Sequence, residues 1–158
     1  MAVHEQSSSR IWRAILVGGL TVGVLDALDA LVFFGLRGAK LSRIFQTIAG
    51  GLIGAQTAYQ GGAWTVALGV LCHFTVATCI VATYVMASRL WPALARRPFL
   101  FGPIFGVAAY LVMTFVIVPL SALSLAIPKL APLVNGLLIH IFGVGIPAAL
   151  AARWARGK

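Results

Sequence analysis

Asp26 and Asp29 are two of only three acidic residues in this chain, and both fall inside an apolar run long enough to cross a membrane. A carboxylate at the bilayer centre costs at least about 2.5 kcal/mol on insertion scales. It survives where it faces a bundle interior, meets a partner or takes up a proton. His73 and His140 interrupt other apolar runs and are the natural partners. Asp and His together can relay a proton, hold a cation, or ligate a metal or haem iron. Tyr110, Thr114 and Asn135 can add hydrogen bonds, and Met113 can fill space or offer a sulfur.

The elements that must position these residues follow from composition. The chain is 61% hydrophobic and only 9% charged, against roughly 25% charged in a soluble globule. That excludes an ordinary soluble domain. Its mean hydropathy of +1.01 fits a polytopic membrane protein. Four apolar runs of spanning length lie at 14–36, 63–87, 99–120 and 133–152. Residues 1–13 read as a disordered basic flank, 14–153 as one transmembrane helical domain and 154–158 as a basic tail. The run after Arg13 lacks a small-residue cleavage site and carries Asp26, so it reads as an uncleaved span. Trp12, Trp64, Trp91 and Trp154 fall at headgroup levels, as membrane anchors do.

The net charge of +9 comes from short clusters beside the apolar runs. That is the positive-inside and headgroup-attraction pattern. No basic face is interleaved with aromatics, so nucleic acid is not an expected partner. With four spans and a cytoplasmic N-terminus, Arg10, Arg13, Arg89, Arg96, Arg97, Arg153, Arg156 and Lys158 lie inside, and Arg37, Lys40, Arg43 and Lys129 lie outside. A fifth span through 41–60, with an external N-terminus, would move the balance to nine against three. Both arrangements leave the C-terminus cytoplasmic. Gln46, Thr47, Gln56, Thr57 and Gln60 make 41–60 too polar to span comfortably. Leu41, Ile44, Phe45, Ile48 and Leu52 repeat at helical spacing, with Ser42, Arg43 and Gln46 off that face. The segment therefore reads as an interfacial amphipathic helix, with a re-entrant hairpin around Gly50 and Gly51 as the alternative.

Four antiparallel spans place Asp26, Asp29, His73, Met113 and His140 about 10–15 Å below the outer surface. Facing agrees with depth. Asp26 shares a stripe with Gly19, Gly23 and Ala30; His73 with Gly69 and Ala77; His140 with Gly136 and Gly143. Small residues at those spacings let membrane helices approach closely. Asp29 lies about one-sixth of a turn off Asp26's line.

Smaller signals have plainer readings. Cys72 and Cys79 lie about 10 Å apart along one helix, too far for a disulfide, and read as buried small hydrophobes. Tyr84 reads as an interface anchor. Pro119, Pro128 and Pro132 mark a turn, and Pro147 marks a kink in the last span. Ser121 and Ser124 have no neighbouring base, and no HExxH or GxSxG motif is present.

The run from Arg43 to Gly54, RIFQTIAGGLIG, resembles a stretch in small bacterial four-helix inner-membrane proteins of no assigned activity. So do His73-Phe74, the Val118 to Ser121 segment and the Gly136 to His140 segment, and the likeness runs from about Gly18 to Ala152. The resemblance implies a bacterial inner (cytoplasmic) membrane location and a four-helix fold. It carries no activity.

The expectation is an all-α, four-helix membrane bundle with an interfacial helix between spans 1 and 2. Its function is read as non-enzymatic: an intramembrane Asp/His layer binding a proton, cation or cofactor. Four short-looped helices leave no soluble domain for chemistry, which points to a homo-oligomer or a small subunit of a membrane assembly. The alternatives are a purely structural Asp–His network, a proton-coupled small transporter or channel, a bis-histidine haem or metal protein, and, last, a hydrolase. No cofactor is the simplest expectation, with haem or a metal ion as the other outcomes.

Overall fold

The computed structural model describes residues 2–123 and 128–157, with side chains from Ser8 onward. Ser124 falls outside the described residues. The chain is all-α, and among the described residues there is no strand. Helices in order are α1 (Ala2–Gly35), α2 (Leu41–Ile53), α3 (Ala55–Gln60), α4 (Gly62–Leu90), α5 (Ala93–Arg96), α6 (Pro98–Val112), α7 (Val118–Leu120), α8 (Leu130–Ile139) and α9 (Ile146–Ala155). A π-helical turn at Met113–Ile117 joins α6 to α7, and another at His140–Gly145 joins α8 to α9. Four helical stretches are long and apolar enough to cross a membrane: Ser8–Gly35, Gly62–Leu90, Pro98–Leu120 and Leu130–Ala155. These are spans 1 to 4.

The expected disordered flank is instead helical from Ala2. Extending a helix that the first span has already nucleated costs little per residue. Span 1 ends where Arg37 donates to the Phe33 carbonyl at 2.9 Å and lies over the Phe33 ring. A cation there complements the helix C-terminus.

Span 4 is the hub. Its C-terminal half packs against spans 1, 2 and 3, while spans 1 and 2 pack on each other. The hydrophobic core lies at one end of the bundle, where Ile15, Val81, Tyr84, Val85, Ala148 and Ala152 meet. Alanines there bring the helix backbones together. Tyr84 belongs to this core rather than to an interface. It is 1% exposed, and its hydroxyl donates to the Leu94 carbonyl at 3.1 Å. Cys72 is half-buried and Cys79 is exposed, so the expected burial of both fails for Cys79. In a membrane span an exposed thiol needs no aqueous partner.

Spans 3 and 4 cross backbone to backbone. A Cβ on Gly106 would meet the His140 carbonyl, and one on Gly102 would lie 2.9 Å from the Gly145 oxygen. On the stripes expected from sequence, Gly19 faces Thr78, Gly23 faces Phe74, Gly69 faces the Phe45 backbone and Gly136 faces Tyr110.

Helix α2 packs along span 2. At 13 residues it is about 20 Å long, short of a bilayer core of about 30 Å. Gly54, with φ of 81°, breaks it from α3. Its exposed and buried faces differ from the amphipathic expectation. Leu41 and Leu52 are exposed, whereas Gln46 is buried. The polar residues pin the segment to span 2. Gln46 donates to the Gly62 carbonyl and to the Thr65 hydroxyl, both at 3.3 Å. Thr65 in turn donates to the Ala58 carbonyl at 2.7 Å. Beside them, Thr47 and Tyr59 share a hydroxyl pair at 3.1 Å.

Candidate functional site: a cavity between the four spans

Bordering the hydrophobic core lies a cavity of about 230 Å³. Span 1 contributes Val22 and Asp26, α2 contributes Ile48, and span 2 contributes His73 and Val76. Span 3 contributes Tyr110, Met113 and Thr114, and span 4 contributes His140 and Val144. Six of the eight residues singled out from sequence therefore share one cavity.

Two proline-linked defects shape its walls. Proline has no N–H, and its ring conflicts with the carbonyl four residues earlier. For Pro119 that carbonyl belongs to Phe115, and for Pro147 to Gly143. Both lie inside the π-helical turns. The wider turns put Met113 and Thr114 on one side of the cavity and His140 on the other. Such bulges recur at functional sites.

His73 is fixed by span 1. Its Nε2 lies 2.8 Å from the Gly23 carbonyl. A carbonyl oxygen only accepts, so Nε2 carries the proton and donates. That leaves Nδ1 facing Asp26 Oδ2 at 4.0 Å, beyond hydrogen-bond length. The side chains are 10% and 28% exposed, respectively. Phe45 and Phe74 pack edge-on around the imidazole.

His140 is oriented by its own helix. Its Nδ1 donates to the Gly136 carbonyl at 2.9 Å, so Nε2 is the free acceptor in the neutral ring. Tyr110 packs edge-on against it, with ring centroids 5.2 Å apart. Among the described residues, none makes a side-chain hydrogen bond with Asp26, the Tyr110 hydroxyl or the Thr114 hydroxyl. The cavity thus collects polar groups that the fold leaves uncommitted.

Asp29 and Asn135 do not line this cavity. They form their own bond, with Asn135 Nδ2 donating to Asp29 Oδ2 at 2.6 Å. The expected single layer is therefore two constellations: a satisfied pair joining spans 1 and 4, and an open cavity around Asp26. The offset of Asp29 by one-sixth of a turn is the sequence signal for that division.

A metal site with three protein ligands finds little support in the donor set. His73 has one ring nitrogen on Gly23, and the other faces Asp26 at 4.0 Å. Among the described residues no three His, Cys, Asp or Glu side chains converge on one point, and zinc sites use at least three protein ligands. Ser121 is engaged with the backbone: its hydroxyl donates to the Val118 carbonyl and accepts from the Leu123 N–H.

Sequence reasoning missed Ile48 as a cavity wall, the Gly23 carbonyl as a histidine partner, and the two π-helical turns. Pro119 and Pro147 were the available signals for the turns. No protein-family model, curated protein or solved structure matches this chain.

Proposed function

We propose that this four-span membrane protein is non-enzymatic and binds an exchangeable proton at the Asp26–His73 pair in its central cavity. The observation that carries this reading is the commitment of the His73 Nε2 proton to the Gly23 carbonyl. A neutral His73 then turns the bare lone pair of Nδ1 toward a carboxylate. That arrangement is repulsive unless one further proton sits on Asp26 or on Nδ1. The pair is therefore a one-proton site, and Tyr110, Thr114 and His140 supply polar neighbours through which a proton can pass.

On this reading the protein sits in a bacterial inner membrane with its C-terminus cytoplasmic, supported by Arg89, Arg96, Arg97, Arg153 and Arg156 at one end of the bundle. It works as a homo-oligomer or as a small subunit of a larger assembly, because a cavity of this size between four helices leaves little room for alternating access within one chain.

Infrared difference spectroscopy of the protein in lipid nanodiscs tests the proton site. A pH-dependent carboxyl band in wild type that is missing in Asp26→Asn is the expected result. Identical spectra for the two proteins would sink the reading.

A further inference from the structure

A second, larger cavity adjoins the first. Its volume is about 420 Å³, and it shares Ile48, Val76, Met113 and Val118 with the cavity that holds Asp26. Beyond those shared walls it is bounded by Cys72 and Ile117, with Leu52 of α2 on the far side. Its surface is almost wholly apolar. The two spaces lie side by side, one with polar groups in its wall and the other apolar, and the larger is in the size class of small-molecule sites.

The polar end discriminates among ligand heads. Asp26 accepts hydrogen bonds and, among the described residues, carries the only carboxyl group in the cavity. His140 presents Nε2 as an acceptor, because its other nitrogen already donates to Gly136. The hydroxyls of Tyr110 and Thr114 can accept as well as donate. An ammonium group has donors only and no acceptor, and its charge complements Asp26. A carboxylate head would meet Asp26 as a like charge.

We infer that the two cavities join to bind a small amphipathic amine, with its ammonium group between Asp26 and His140 and its apolar body in the space behind Val76 and Met113. This inference rests on the proton site proposed above, and it makes the amine and the proton competitors for one carboxylate. The balance is simple. The protonated amine enters, and the proton held by the Asp26–His73 pair leaves.

The test uses 4-phenylbutylamine, with 4-phenylbutanol and 5-phenylpentanoate as neutral and anionic controls of similar length. Radiolabelled probe is bound to the full chain in nanodiscs, with empty nanodiscs subtracted. Proton release is read in parallel by calorimetry in buffers of different ionisation enthalpy. Saturable binding of the amine, at least tenfold tighter than either control, with one proton released per amine bound, is expected. Ile117→Trp fills the apolar end without touching Asp26. It should weaken amine binding at least tenfold while leaving the pH-dependent carboxyl band intact. Equal binding of all three probes, or amine binding unchanged by Ile117→Trp, overturns the amine site even where the carboxyl band still titrates. Saturable, Ile117-dependent amine binding without proton release keeps the amine site and overturns the proton site.

Discussion

Gly106→Ala adds one methyl group at the crossing of spans 3 and 4, and the structure says where that methyl must go. It would meet the carbonyl oxygen of His140, lie 2.7 Å from the His140 carbonyl carbon and lie 2.8 Å from the Ile141 Cα. All of these are backbone atoms, so no rotamer change can make room. Either the helices separate or the π-helical turn at His140–Gly145 rearranges. Overpacking of this kind costs about 1–3 kcal/mol, and a contact with backbone on every side belongs at the upper end. For a chain of this length about 3 kcal/mol corresponds to a loss of about 6–12 °C in midpoint. The comparison is Gly143→Ala on the same turn. There the new methyl meets the tip of the Ile139 side chain, with Leu25 Cβ at 3.6 Å. The Ile139 tip can swing away, and the helix gains about 0.5–1 kcal/mol on losing a glycine. Its midpoint should stay within about 2 °C of wild type, a change of at most about 0.5–1 kcal/mol on the same scale. Thermal unfolding in one detergent, followed by intrinsic tryptophan fluorescence, compares the two variants. Equal losses for both would refute the claim that spans 3 and 4 cross backbone to backbone at Gly106.

Three further outcomes follow from the same geometry. Thr65→Val strands the buried Ala58 carbonyl and should cost about 1–3 kcal/mol, whereas Gln46→Ala gives up two long bonds and should cost about 1 kcal/mol; thermal midpoints in the reverse order would mean that Gln46, not Thr65, holds α2 and α3 to span 2. A double-mutant cycle of Asp29→Ala and Asn135→Ala should return a coupling of about 0.6–1.7 kcal/mol, the range found for hydrogen bonds between membrane helices, and a coupling of zero would remove the bond at 2.6 Å as a tie between spans 1 and 4. Single cysteines at Ser8 and Gly61, with Cys72 and Cys79 replaced by alanine, should react with an impermeant thiol reagent from opposite faces of the membrane; reaction from the same face would require 41–60 to cross.

The helices were legible because membrane spans announce themselves by length and hydropathy alone. Each of the four expected runs lies within, or one residue beyond, a spanning helix of the structure. Membership of the cavity was legible for a different reason. Depth follows from the helix rise, and facing follows from glycine stripes. Depth placed Asp26, Asp29, His73, Met113 and His140 at one level, and the stripes turned Asp26, His73 and His140 inward; all of these but Asp29 line the cavity. Neither depth nor stripes could place Gln46. A glutamine beside an exposed arginine on an amphipathic pattern reads as solvated, and only the packing of α2 against span 2 buries it. The crossing of spans 3 and 4 was missed for a related reason. Gly102, Gly106 and Gly145 share no stripe with Asp26, His73 or His140, so nothing in the sequence marked them above the many other glycines of membrane helices.

The two carboxylates divide the competing readings between them. A network that exists only to hold helices together should satisfy its members, because a polar group left without a partner in a low-dielectric interior costs about 1–3 kcal/mol. Asp29 meets that standard through its short bond to Asn135. Asp26 does not. His73 lies within reach, yet its shorter bond, at 2.8 Å, goes to the Gly23 backbone, and the carboxylate is left at 4.0 Å. Phe45 and Phe74 brace the imidazole, and the cavity keeps space beside Asp26. The structural-network reading accordingly fits Asp29 and Asn135. The proposed proton and amine chemistry belongs to Asp26, whose hydrogen-bonding capacity the protein leaves unspent.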